Sequence, residues 1–110
     1  MDFGEEIFNM SKEFPKEELF SLTSQIRRAS DSIALNIAEG STGQSYPEFV
    51  KFIGYSLRSL AEVVTCLHKA FRRGYLSQES FNSIYQKSFA LMNSIAAFRN
   101  FLKSNIKKKE

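Results

Sequence analysis

The sequence predicts an all-α protein: an antiparallel up-down four-helix bundle with a short first helix. Three observations carry that expectation. Apolar residues recur at alternating steps of four and three over three long stretches, the pattern of helices packed lengthwise. No segment alternates apolar and polar residues between hairpin turns, so no strand is expected. The connections between periodic stretches are about three to seven residues, short enough to force antiparallel neighbours.

One domain is expected over residues 1–110, with helices at about 2–13, 21–40, 46–73 and 78–106. A chain of this length buries a single core without disulfide or metal staples. In the first helix Phe3, Ile7, Met10 and Phe14 share a face, and Pro15 interrupts it by pushing the preceding residue out of helical geometry. Residues 16–20 are expected to add one further turn.

The second helix is the organising stretch, LTSQIRRASDSIALNIAEG. Leu22, Ile26, Ala29, Ile33, Asn36 and Gly40 form its seam, and Gln25, Ser32 and Glu39 make a polar line beside it. A polar residue within an apolar seam is expected to set a register, because buried polar groups need particular partners. Gly40 is expected to end this helix through a left-handed turn.

Ser45 to Glu48 reads as a capping box, with Pro47 tolerated in the first turn of the third helix. Phe49, Ile53, Ser56, Leu60, Val63, Leu67 and Ala70 keep the four–three alternation. Val50, Leu57, Val64 and Phe71 add a second line every seven residues. Two adjacent seams make a wide apolar face, so these four are the candidate oligomer interface. Gly74 closes the helix, Ser77 caps the fourth, and Phe81, Ile84, Ser88, Leu91, Ile95, Phe98 and Leu102 form the last seam.

The string SQIRRASDSIALNIAEG, with FPKEELF before it and EF, SLRSLAE and RRGYLS after it, resembles the small bacterial four-helix-bundle proteins encoded in 23S rRNA intervening sequences. Those are similar in turn to the accessory variability protein of diversity-generating retroelements. The resemblance runs from about Phe3 to about Lys103. It implies a non-enzymatic homo-oligomer, a pentamer in the retroelement relative, that contacts RNA or DNA and works beside a reverse transcriptase. It also implies a longer first helix than this chain has. Either the chain is a short member or its start lies upstream, and part of the bundle seam is then expected to lie open.

The residues themselves argue against catalysis. One histidine, His68, cannot build a zinc cluster or a carboxylate–histidine di-metal site, so no metal and no cofactor is expected. His68 reads as a surface residue and Cys66 as a packing one. A single cysteine forms no internal disulfide, which together with the lack of a signal peptide or an apolar membrane span suggests a cytoplasmic protein. Gln25, Ser32, Asn36, Glu39 and Glu62 are expected to make structural polar contacts, with a Glu39–Glu62 carboxylate pair as the sharper alternative. GSTG at 40–43 matches the KH-domain loop only superficially, because that loop needs a sheet.

Charge is distributed unevenly: net −3 over residues 1–15 and −1 over 16–40, then +3 over 41–74 and +4 over 75–110. The candidate nucleic-acid contacts are Arg27 and Arg28 on the second helix, then Lys69, Arg72 and Arg73 at the end of the third. Arg99, Lys103, Lys107, Lys108 and Lys109 complete the set at the end of the fourth. Antiparallel packing would place the last two groups at opposite poles. A solvated surface is the competing account, since cations near helix C-termini already complement the helix dipole. The alternative function is a protein–protein interaction scaffold without nucleic-acid binding. Eleven phenylalanines fall on or beside the seams, and core packing is expected to account for them.

Overall fold

Three of the four helices begin on a side chain that accepts a backbone N–H the helix leaves orphaned. The computed structural model describes residues 2–43 and 45–109, with side chains through 106. Asp2 Oδ1 accepts from the Glu5 N–H at 2.9 Å at the head of α1, Phe3–Ser11. A single 3₁₀ turn, Lys16–Glu18, precedes α2, Leu22–Ser41. Ser45 Oγ accepts from the Glu48 N–H at 3.3 Å ahead of α3, Tyr46–Arg72. Ser77 Oγ accepts from the Ser80 N–H at 3.1 Å ahead of α4, Gln78–Lys109. Among the described residues there is no strand.

The helix ends are made in two ways. At the end of α3 Gly74 takes φ 81°, its N–H bonds the Phe71 carbonyl, and the Tyr75 N–H reaches back to the Ala70 carbonyl. That is a Schellman motif, and it requires a residue without a Cβ. Gly40 does something else. It lies inside α2 and has no positive φ, contrary to the left-handed turn expected there. A Cβ at this position would sit 2.7 Å from Phe49 Cδ1 and 2.9 Å from Phe52 Cβ, so glycine is needed for close helix approach.

Burial follows the expected seams. Leu22, Ile26, Ala29 and Ile33 of α2, Ile53, Leu60, Val63 and Leu67 of α3, and Phe81, Ile84 and Ile95 of α4 form one core with Ile7 of α1. Successive helices pack on each other and α1 closes on α4, while among the described residues the backbones of the diagonal pairs do not approach closely. Ser56 Oγ donates to the Ile33 carbonyl at 2.9 Å within the α2–α3 interface, a buried polar tie between helices. Asn36 plays no such part: it is half-buried and its Nδ2 donates to the Ser32 carbonyl of its own helix. The register expected of Asn36 is therefore carried by Ser56, because only the latter's hydrogen bond crosses between helices.

The helices are unequal. At 1.5 Å per residue α4 is about 48 Å long and α1 only about 14 Å, in a molecule measuring 52 × 25 × 22 Å. The groove between α2 and α4 is consequently filled over part of its length. Core packing accounts for only part of the phenylalanines: Phe14 and Phe81 are buried and Phe3, Phe49 and Phe71 pack against the core, whereas Phe8, Phe20, Phe89, Phe98 and Phe101 are exposed. The seams are wider than the neighbours available to cover them.

Candidate nucleic-acid and subunit interfaces

The cations are positioned by helix ends and by the outward face of α3. Lys69 and Arg72 are exposed in its last turn, at the pole shared with the Lys16–Glu18 turn. Arg99 and Lys103 belong to the opposite pole, since the Phe49–Phe98 ring contact (5.3 Å) sets the end of α4 against the start of α3. The side chains of Lys107, Lys108 and Lys109 lie outside the described residues. Arg28 is exposed midway along the molecule.

Three of the expected nucleic-acid residues are engaged within the chain. Arg27 Nε donates to Ser11 Oγ at 2.7 Å, and its guanidinium lies 4.4 Å from the Phe8 ring centroid. Arg73 Nη1 pairs with Glu18 Oε2 at 2.8 Å. Arg99 is drawn inward: its Nε is buried without a hydrogen-bond partner among the described residues, and its guanidinium lies against α3 at Gly54.

Two cations that sequence reasoning passed over extend the basic surface. Lys51 and Arg58 are exposed on α3 and flank the Tyr55 ring at 6.0 and 5.9 Å from its centroid. Lys51, Arg58 and Arg72 repeat at multiples of seven residues, with Lys69 beside them, so they share the face opposite the core. The line is about 32 Å long at 1.5 Å per residue and is interrupted by one acid, Glu62. The signal was available: it is the same heptad that marks the seam, read on the polar side.

A second unforeseen constellation joins two of the strings that carry the family resemblance. Glu18, from FPKEELF, accepts from Ser21 Oγ at 2.6 Å, Tyr75 Oη at 2.7 Å and Arg73 Nη1 at 2.8 Å. The last two belong to RRGYLS. The hydroxyls of Ser21 and Tyr75, and then the Arg73 guanidinium, hold the Glu18 carboxyl down from 4.5 to about 2. In return, the hydrogen bond to Glu18 raises the Tyr75 phenol above its ordinary value. This clasp fastens the turn before α2 to the end of α3.

The remaining sequence candidates fall as follows. Val50, Leu57, Val64 and Phe71 are half-buried; Val50, Leu57 and Phe71 pack against the chain's own core, with Phe71 stacked on Phe81 at 4.7 Å. Gln25 and Ser32 are half-buried, and Glu39 and Glu62 exposed. Glu39 and Glu62 are not brought together. Gly40 meets Phe49 and Phe52, which puts Glu62 about ten residues, or roughly 15 Å, further along α3. His68 is exposed but its ring lies 5.2 Å from that of Phe81 and 5.7 Å from that of Tyr85. Cys66 is buried, and burial pushes its thiol up, which suits a packing side chain and not a nucleophile. Among the described residues no group of three or more His, Cys, Asp or Glu could hold a metal ion. No described helix is long and apolar enough to cross a membrane.

Comparison with known proteins agrees with this architecture. The family model described as 23S rRNA-intervening sequence protein matches residues 1–103. Among solved structures, the chain is similar to a protein of unknown function from the S23 ribosomal protein family of Bacteroides thetaiotaomicron VPI-5482. The two are 26% identical with a TM-score of 0.81, over 88% of this chain and 91% of that one. No curated protein matches.

Proposed function

This chain belongs to the 23S rRNA-intervening sequence protein family, and from that premise we propose that it acts as a non-enzymatic homo-oligomeric bundle contacting RNA or DNA through basic surface patches. The observation that carries the nucleic-acid part is the outward line of α3. Lys51, Arg58, Lys69 and Arg72 are exposed there, without an ion pair among the described residues, around the half-buried ring of Tyr55. Cations at such spacing meet successive phosphates of a polyanion without reading base edges, so the contact is electrostatic and sequence-independent. The oligomer part is supported by the exposed apolar side chains Leu35, Phe89, Phe98 and Phe101, which one copy leaves in water.

The test is RNA binding as a function of salt. With about four phosphate contacts per subunit, affinity should fall about 50- to 150-fold between about 50 and 200 mM salt. Reversing Lys51, Arg58, Lys69 and Arg72 to glutamate should remove most of the binding and flatten the slope. Arg73 is left out of that variant because reversing it would break the Glu18 clasp. An unchanged affinity would eliminate the α3 line. A partner retained on the chain after nuclease treatment, with no affinity for RNA, would instead favour the scaffold alternative.

A further inference from the structure

Phe89 is 49% exposed on α4, one of the apolar side chains that a single copy leaves in water. It stands apart from the others. Leu35 lines the cleft between α1, α2 and α4, while Phe98 and Phe101 stack on each other beside Phe49, which meets α2 at Gly40. Phe89 instead extends an aromatic stripe on the flank of α4 that meets α3. Phe81, Tyr85 and Phe89 follow one another at steps of four, with ring centroids 5.5 Å apart at each step. The exposed His68 of α3 packs its ring at 5.2 Å from Phe81 and 5.7 Å from Tyr85.

The stripe is set among cations. The His68–Tyr85 and Gly54–Arg99 contacts fix the antiparallel register of α3 and α4, which brings Phe89 level with about residue 64 of α3. Arg58 and Lys69 then lie roughly 9 and 8 Å to either side of it along the helix, at 1.5 Å per residue. Arg99 and Lys103 continue the same flank of α4 toward the start of α3, where Lys51 is exposed. Acids are few here. Among the described residues Glu79 is the one acid of α4, and it lines a groove against α1. Glu48 lies beside Gly43 in the α2–α3 connection. Lys51, Arg58, Lys69, Arg72, Arg99 and Lys103 are thus set against Glu62 alone on this face.

An exposed ring within a cation track suits one kind of polyanion. A duplex keeps its bases paired and stacked on one another, whereas a single strand offers unpaired π-faces that any aromatic ring can meet. We propose that the α3–α4 face takes a single-stranded nucleic acid, with phosphates on the α3 cations and an unpaired base stacked on Phe89. Tyr85, packed against Phe81, His68 and Phe89, holds the ring in place before any strand arrives, which lowers the ordering cost of binding. This rests on the nucleic-acid reading of the α3 line and names the strand that the line takes.

Fluorescence anisotropy tests it, with a labelled unstructured oligonucleotide and the blunt duplex of the same sequence, each as RNA and as DNA to tell which sugar is preferred. The wild type should bind the single strand more tightly than the duplex. Phe89→Ala should weaken the single strand about 5- to 150-fold, leaving the duplex affinity and the salt slope as they were, and Phe89→Tyr should restore the loss. The chain has no tryptophan, so in Phe89→Trp a lone indole reports on the stripe. Its emission should be quenched by the single strand and not by heparin, a polyanion without bases. Equal single-strand affinity in wild type and Phe89→Ala, or an unquenched indole with the strand bound, overturns the stacking and leaves the α3 line standing. A Phe89→Ala chain that loses its assembly in light scattering gives the ring to a subunit contact and overturns the stacking too. A wild type that binds neither form at low salt overturns both readings.

Discussion

An alanine at position 40 would meet Phe49 Cδ1 at 2.7 Å and Phe52 Cβ at 2.9 Å, and the second of these atoms cannot swing away. Gly40→Ala should therefore cost about 1–3 kcal/mol, the range for overpacking a tight contact. Gly54, in the middle of α3, is the counter-case. There a Cβ would meet only the flexible guanidinium of Arg99 at 3.5 Å, an ordinary contact. Gly54→Ala should raise stability by about 0.5–1 kcal/mol through helix propensity alone. Urea denaturation of the two variants checks both signs. Asn36→Leu belongs beside them. Its side chain bonds only the Ser32 carbonyl of its own helix, so the substitution should hold or raise stability, and a failure to fold would reveal a further partner.

Among the elements, the 3₁₀ turn depends most on charge. The Glu18 carboxyl has its folded value lowered from 4.5 to about 2, so the folded state resists its protonation. The stability it contributes is present in full above pH 4.5 and is lost as pH falls toward 2. For Tyr75 the sign is reversed: its raised value means that a contribution present below pH 10 is lost as the phenol ionises beside the Glu18 carboxylate. Glu18→Gln should flatten the acid limb of stability between about pH 4.5 and 2, as read by thermal melts across that range. An identical acid limb in the variant would mean that the clasp does not hold the turn. The clasp joins residues 57 apart in sequence, Glu18 and Tyr75. No local pattern announces such a pair, although both strings were already marked by the family resemblance.

At the scale of the whole molecule, unequal helix lengths decide what one copy leaves open. Two long helices flank a short one, so a cleft and exposed aromatic side chains persist after the core is complete. Charge is also unevenly placed: Asp2, Glu5 and Asp31 surround the cleft, and Lys51, Arg58, Lys69 and Arg72 lie along the outward face of α3. If assembly uses the exposed apolar side chains Leu35, Phe98 and Phe101 and polyanion binding the α3 line, salt should weaken RNA binding steeply. The apolar part of the subunit contact should persist, and light scattering at low and high salt reads the difference.

Helix number, helix direction and the identity of the buried seams were written into the order of residues, because a period of 3.6 is a local property that apolar side chains display whether or not the chain has folded. So were the Ser45 and Ser77 caps and the Gly74 stop, which depend on near neighbours in sequence. Tertiary structure alone decided which polar groups cross between helices, why Gly40 must lack a Cβ, which phenylalanines stay in water and how Glu18 reaches Arg73 and Tyr75. Each of these depends on the distance between helices and on how far each extends past its neighbour, and no stretch of a single helix encodes either quantity.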